Sequence, residues 1–350
     1  MARSNGQDGP INIENRHSDP RFADLVAWLE SEPEFSAAEL KPASADASFR
    51  RYFRLHSGQQ TRIVMDAPPP QEDCVPFVEV AAFLREMGVN GPEVLRADIE
   101  RGFLLLSDLG QRQYLDELTA RPEVANGLYR DAISALTTIQ REGKRFQDNL
   151  PTYDEPLLRN ELSLFHDWLC ARHLGLKFSD DDERQWSECC DVLVRSALAQ
   201  PTVFVHRDYH SRNLMLTTKN NPGILDFQDA VRGPLTYDLV SLLRDCYIRW
   251  PSEQVQIWAR EFYEALDDSI IGKIDDETFL RFFDLMGVQR HLKAAGIFAR
   301  LLHRDGKPGY MKDVPRTLQY VVDVGRRYSE IGFLAELIEE RCMPSLMEGA

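Results

Sequence analysis

Three polar residues, each at the end of a short apolar run, constrain this chain most. In VFVHRDYHSRNLML, Asp208 follows Val203–Val205, and Asn213, five positions later, precedes Leu214, Met215 and Leu216. In GILDFQDA, Asp226 comes thirteen positions after Asn213, behind Ile224 and Leu225. Any one of these residues alone reads as a turn or helix-cap residue. Three in register, each beside a β-like run, go beyond turn chemistry and require a fold that gathers three strand ends. The stretches around them are helical in pattern, so short strands and catalytic-looking loops sit inside a mainly helical region.

The spacing is that of an H-R-D-x-x-x-x-N loop followed by a D-F-x partner, the pattern of phosphoryl transfer in kinases. That chemistry needs charge neutralised and reacting groups held in line, with little covalent help. Asp208 suits a base that accepts the proton of an attacking hydroxyl. Asn213 and Asp226 offer the hard oxygens that magnesium prefers. His206 reads as a brace for the loop. Asp238, at the start of a helix, reads as a cap that braces the same loop, or as a cap alone. Only twelve positions separate Asp226 from Asp238 and no A-P-E follows, so there is no platform for a peptide substrate. About fifty helical residues precede the loop instead, enough to wall off a small-molecule pocket.

The rest of the chain sets limits. It has 350 residues with 41 Lys+Arg against 56 Asp+Glu, a formal charge of −15. That balance argues against a nucleic-acid partner, which needs a basic face. No apolar run reaches the ~18 residues of a membrane helix. Residues 1–18 are polar and read as a disordered lead without the apolar core of a secretory signal. The six cysteines show no ligand spacing and read as packed, reduced thiols of a cytoplasmic protein. Periodicity predicts a helix over 19–32 capped by Asp19, strands around Tyr52–Leu55 and over 61–67, a helix over 76–87, a strand near 92–98, and a buried strand in GFLLLSDLG that ends at a turn around Gly110. Helices are then expected over 122–142, 154–174, 180–199, 236–249, 252–268, 276–303 and 313–327. Short strands are expected at 202–206, 214–216 and 223–226. Four of the five tryptophans, at 168, 186, 250 and 258, read as core.

HRDYHSRNLM with ILDFQDAVRGPLTYDL resembles the aminoglycoside phosphotransferase and choline kinase-like superfamily. SFRRYFRL, IVMDAPPPQEDCVPF, GFLLLSDLGQRQYL and RHLKAAGIFARLLHRDGKPGYMKDVPR are similar to segments of the bacterial kinases that act on the anomeric hydroxyl of N-acetylmuramate and N-acetylglucosamine. The resemblance covers about residues 40–325. It implies an α+β, two-lobed protein-kinase-like fold: a small antiparallel-sheet N-lobe over 19–108 and a mainly helical C-lobe over 109–350. It implies ATP and Mg2+ as cofactors, an amino sugar as acceptor and a sugar 1-phosphate as product, in peptidoglycan recycling. It makes Ser107-Asp108-Leu109 the hinge for adenine and the turn Ala43–Phe49, with Ser44 and Ser48, the cover over the phosphates.

Two departures from the family pattern stand out. The covering turn has no glycine, and the third strand carries Met65 where a phosphate-pairing lysine is expected. Glu79, the acid such a lysine would need, is left without its mate, and Arg50 or Arg51 is the candidate replacement cation. For the acceptor pocket the candidates are His210 and Arg212 inside the loop, Asp229 after it, and Arg300 and Arg304, four apart on one helix. The readings open at this point are the amino-sugar kinase, a kinase of another small alcohol or an aminoglycoside, and a nucleotide-binding scaffold.

Overall fold

The structure, a computed structural model, describes residues 19–35, 39–45 and 49–348. The expected lead over 1–18, Ser48, and the side chain of Ser44 lie outside the described residues. The chain divides into two compact units, one ending at Gly110 and the other taking the chain from Gln111 onward together with Met87–Val89.

In the first unit, helix α1 (Pro20–Glu30) starts where Asp19 accepts the Phe22 N–H at 3.1 Å and Pro20 fills the first turn. Strands β1 (Glu39–Ala45), β2 (Arg51–Ser57) and β3 (Gln60–Asp66) precede helix α2 (Val75–Glu86), and β4 (Val94–Asp98) and β5 (Phe103–Ser107) follow it. The five strands form one antiparallel sheet in the order β1-β2-β3-β5-β4. Strand β1 was not expected. Its Pro42 is tolerated because β1 is an edge strand, with an irregular register between Pro42 and Ser44. Phe53, Leu55, Val64, Phe103 and Leu105 alternate onto one face and pack with Phe22, Leu25, Val26, Trp28 and Leu29 of α1.

The second unit is mainly helical. It holds α3 (Tyr114–Ala120), α4 (Ala125–Gly143), α5 (Glu155–Leu164) and α6 (Asp180–Leu198). Four short strands follow: β6 (Thr202–Val205), β7 (Leu214–Met215), β8 (Gly223–Ile224) and β9 (Val231–Pro234). Then come α7 (Tyr237–Leu243), α8 (Ser252–Ala265), α9 (Asp268–Ile271), α10 (Asp276–Asp305), α11 (Val314–Gly325), α12 (Gly332–Leu337) and α13 (Met343–Glu348). Strand β6 pairs antiparallel with β9, which the sequence reading did not anticipate, and β7 pairs with β8. The helix expected over 236–249 stops at Leu243, because Arg244 leaves helical geometry and Asp245 turns to other partners. Trp258 and Trp186 are buried, and Trp258 stacks on Tyr129 with ring centroids 4.2 Å apart. All six cysteines are buried and unbridged. Among the described residues no helix is long and apolar enough to cross a membrane.

The spine of this unit is α10, whose 30 residues pack against α5, α6, α7 and α11. Asp275 caps its start through the Thr278 N–H at 2.8 Å. The approach to α5 is backbone-close at Gly296. A Cβ there would be driven into the Leu164 carbonyl carbon and would stand 2.5 Å from the Leu164 oxygen and the Phe165 nitrogen. At that same point the α5 helix widens into a π-helical turn, Phe165–His173. Gly296→Ala should therefore destabilise the fold by about 1–3 kcal/mol through overpacking. Urea unfolding read by tryptophan fluorescence checks this, and an unchanged midpoint would contradict the close approach.

Candidate active site

The strand pairs deliver the predicted residues to one place. Strand β6 ends at Val205, and the loop His206–Asn213 runs on from it into β7. Strand β8 ends at Ile224, two residues before Asp226. The Asn213 carbonyl accepts the Leu225 N–H at 2.9 Å, which places Asn213 and Asp226 side by side. Asn213 Nδ2 donates to Asp226 Oδ2 at 3.1 Å and to the Asp208 carbonyl at 3.0 Å. Gln228 Nε2 donates to Asp226 Oδ1 at 2.8 Å. Asp208, Asn213 and Asp226 thus form one hydrogen-bonded set.

The loop is held along its backbone. Asp238, fully buried at the start of α7, accepts the His206 N–H at 2.6 Å and the Arg207 N–H at 2.9 Å. The Asp208 N–H donates to His206 Nδ1 at 3.2 Å, and the His206 ring lies edge-on to Tyr209 inside the fold. Burial pushes the His206 imidazole down to about 4, so it is neutral and free to accept. Asp245 accepts both the Ser211 N–H at 3.0 Å and the Ser211 hydroxyl at 2.5 Å. These bonds stabilise two sparsely populated conformations, φ 78° at Arg207 and φ 63° at Asp226.

The electrostatics favour an ionised base. Burial works against charge on Asp208, but neighbouring cations, Lys293 foremost and Arg290 and Arg207 with it, hold its carboxyl below the usual carboxylate range. Asp238 goes the other way: burial pushes its carboxyl up to about 7 against the two N–H bonds it accepts. Two acids of similar sequence character therefore differ in charge state near neutrality because their surroundings differ. The donor set is suited to magnesium: an amide oxygen at Asn213 and two carboxylate oxygens at Asp226 are hard ligands, and this ion takes few protein groups beside phosphates and water. Among the described residues no cluster of three His, Cys, Asp or Glu forms a separate metal centre.

The other candidates distribute unevenly. His210 and Arg212 share Tyr247: the His210 ring is 5.4 Å from it, and the Arg212 guanidinium lies 4.5 Å over its face and 5.8 Å from Tyr310. Arg300 is half-buried, whereas Arg304 is exposed and turned to Asp305 at 2.8 Å, and Asp229 is exposed. In the first unit, Arg51 is engaged by Asp19 and by the fully buried Asp66 at 2.5 Å. Its partner on β3 is Asp66, while Met65 is opposite Tyr52, so strand alternation puts Arg51 and Met65 on opposite faces. Arg50 pairs with Glu72 at 2.9 Å. Asp108 is gripped by Arg54 at 2.7 and 3.1 Å, and Glu79 is on the exposed side of α2.

Two residues of the site escaped sequence reasoning. Asp245 lies where a continuous helix was expected. Glu161 is buried in α5 and binds Arg207 NH2 at 2.5 Å and Lys293 Nζ at 2.9 Å. A signal for Glu161 exists: it occupies an inward position in the stripe Leu158, Glu161, Leu162, Phe165.

Residues 39–283 match the model of the phosphotransferase enzyme family. The chain is 49% identical over 343 residues to a protein of Pseudomonas aeruginosa named N-acetylmuramate/N-acetylglucosamine kinase, covering 95% of this chain and 98% of that one. A protein of the same name from Pseudomonas putida is 47% identical, covering 92% and 97%. A solved choline/ethanolamine kinase family protein from Mesorhizobium loti superposes with a TM-score of 0.61 at 14% identity, covering 90% of this chain and 99% of that one. The expected two-lobed, kinase-like α+β fold is therefore the observed one.

The Asp238 carboxyl gives a pH signature. An unfolded aspartate titrates near ~3.9, and folded Asp238 near about 7. The folded state keeps the extra proton between those values, so the stability Asp238 contributes is fully present below pH ~4 and lost as pH rises to about 7. The stability margin of wild type over Asp238→Asn in urea unfolding should shrink across that window. A flat margin would mean that Asp238 holds no extra proton in the folded protein.

Proposed function

We propose, since this chain belongs to the phosphotransferase enzyme family, that it transfers the γ-phosphoryl group of ATP to the anomeric C1 hydroxyl of N-acetylmuramate and N-acetylglucosamine. The observation that carries this reading is the hydrogen-bonded set Asp208, Asn213 and Asp226, present in a chain 49% identical over nearly its full length to a kinase named for those two sugars.

In this reading Asp208 accepts the C1 hydroxyl proton as the sugar oxygen bonds to the γ-phosphorus. The bond from that phosphorus to the β,γ-bridging oxygen breaks, and ADP leaves with the electron pair. Asp208 is suited to this because the cations around it keep it deprotonated. Asn213 and Asp226 would hold magnesium, which when bound neutralises charge on the phosphates and aligns them. His210 and Arg212, next to Asp208 in sequence and sharing Tyr247, are assigned to the acceptor sugar, and the Arg212 cation suits the lactyl carboxylate of N-acetylmuramate. Arg50 is assigned to the nucleotide phosphates in place of the missing third-strand lysine. Arg51 is given a structural role by Asp19 and Asp66. Six buried, unbridged thiols fit a reducing, cytoplasmic setting.

With magnesium, ATP and N-acetylglucosamine, the phosphorus spectrum should show a sugar 1-phosphate alongside ADP. A 6-phosphate, or ADP release that needs no sugar, would overturn the reading. Asp208→Asn should lower kcat about 10²–10⁴-fold while ATP affinity holds. Near-normal turnover in that variant would assign the base elsewhere.

A further inference from the structure

Arg207 stands in the middle of the catalytic loop at φ 78°, a left-handed conformation that a non-glycine residue keeps only where its surroundings enforce it. Its N–H is taken by Asp238, and its guanidinium donates to Glu161 Oε1 at 2.5 Å. Glu161 comes from α5, among the helices inserted ahead of the loop. Its side chain is 4% exposed. Besides Arg207 it accepts from Lys293 Nζ at 2.9 Å, Gln289 Nε2 at 3.1 Å and the Tyr153 hydroxyl. Lys293 also donates to the Tyr237 hydroxyl at 2.9 Å, one residue before Asp238. One carboxylate thus joins α5, the catalytic loop and α10. Buried in this way it would be protonated if alone. Lys293 and Arg207 overcome that, and hold the Glu161 carboxyl below its ordinary value.

In kinases that are switched on, the segment after D-F-G is ordered when a phosphate is added and captured by arginine. The segment between Asp226 and Asp238 here has no room for such an element, and the loop arginine already faces a permanent negative charge. We propose that Glu161 is a positioning residue, the built-in counter-charge that holds Arg207, and through it Asp208, in the geometry for transfer, so that the site is assembled on folding without a covalent switch. This role presupposes the transfer reaction proposed for the site. Glu161 touches no reacting atom. It acts through the Arg207 turn and through Lys293, which it shares with the field around Asp208.

The test compares wild type and Glu161→Gln under magnesium-ATP with N-acetylglucosamine. Formation of sugar 1-phosphate by the wild type tests the reaction, and the ratio of variant to wild type tests Glu161. Loosening the loop should lower kcat on the order of 10²-fold, with KM for ATP and sugar changing less than roughly threefold. A purely structural acid would change the melting temperature and leave kcat near the wild-type value. If Glu161→Gln does not fold, the double variant Glu161→Leu/Arg207→Met replaces a buried ion pair by apolar groups, a change that folds commonly tolerate. It should fold with kcat reduced to a similar degree. A folded Glu161→Gln with kcat within roughly threefold of wild type, or a folded double variant with wild-type kcat, would overturn the proposal.

Discussion

A carboxylate out of water stays ionised only if cations come to it, and in this protein that requirement organises the second unit. Glu161 is met by Arg207 from the loop and Lys293 from α10. Either cation left alone would be as costly as the lone acid, since breaking a buried pair typically costs about 3–5 kcal/mol. The three elements are therefore positioned together or not at all. The bulk of the folding free energy comes from the apolar surface packed along α10. The ion network contributes less net energy, and selects which of the many ways of packing helices is adopted.

The loop carries the same logic into its backbone. A turn that places Asp208, Asn213 and Asp226 on one side cannot use regular ladder bonds, so each buried N–H needs an outside acceptor. Asp238 takes two of them, His206 takes that of Asp208, and Asp245 takes that of Ser211. Three of these four bonds end on α7 and the turn after it. This explains why α7 must end at Leu243: a helix continued to 249 would carry Asp245 away from Ser211. The close contact at Gly296 acts one step further back. It sets how near α10 stands to α5, and hence whether Lys293 on one can reach Glu161 on the other.

What could be read in advance follows from sequence distance. Asp208, Asn213, Asp226 and Asp238 lie within about thirty residues of one another, and their spacing alone signals a shared site. Glu161 and Asp245 act on loop residues 46 and 34 positions away, and nothing local marks those pairings. Strands β1 and β9 were missed because ELKPASA and VRGP carry the residues that normally punctuate strands, and tertiary pairing overrides that preference. The face that Arg51 takes turns on a one-residue register. A shift of one reverses every side chain in a strand, and only the pairing of Arg51 with Asp66 determines which face it takes.

The overall charge of −15 works against the site at long range, since ATP and an acidic sugar are both anions. At the ionic strength of a cell that repulsion is screened beyond roughly 8 Å, so what matters is the local inventory. Around the loop the buried acids Glu161, Asp238 and Asp245 take up hydrogen bonds and cations for structure, and Asp238, pushed up to about 7, is only partly ionised near neutrality. Asp208 and Asp226 remain, both only part-buried. The buried Arg290 and the part-buried Arg207 and Lys293 offset the charge of Asp208. An acidic exterior and an ionised Asp208 are then compatible: the first keeps the chain soluble, and the cations beside Asp208 hold its carboxyl below the usual carboxylate range whatever the charge outside.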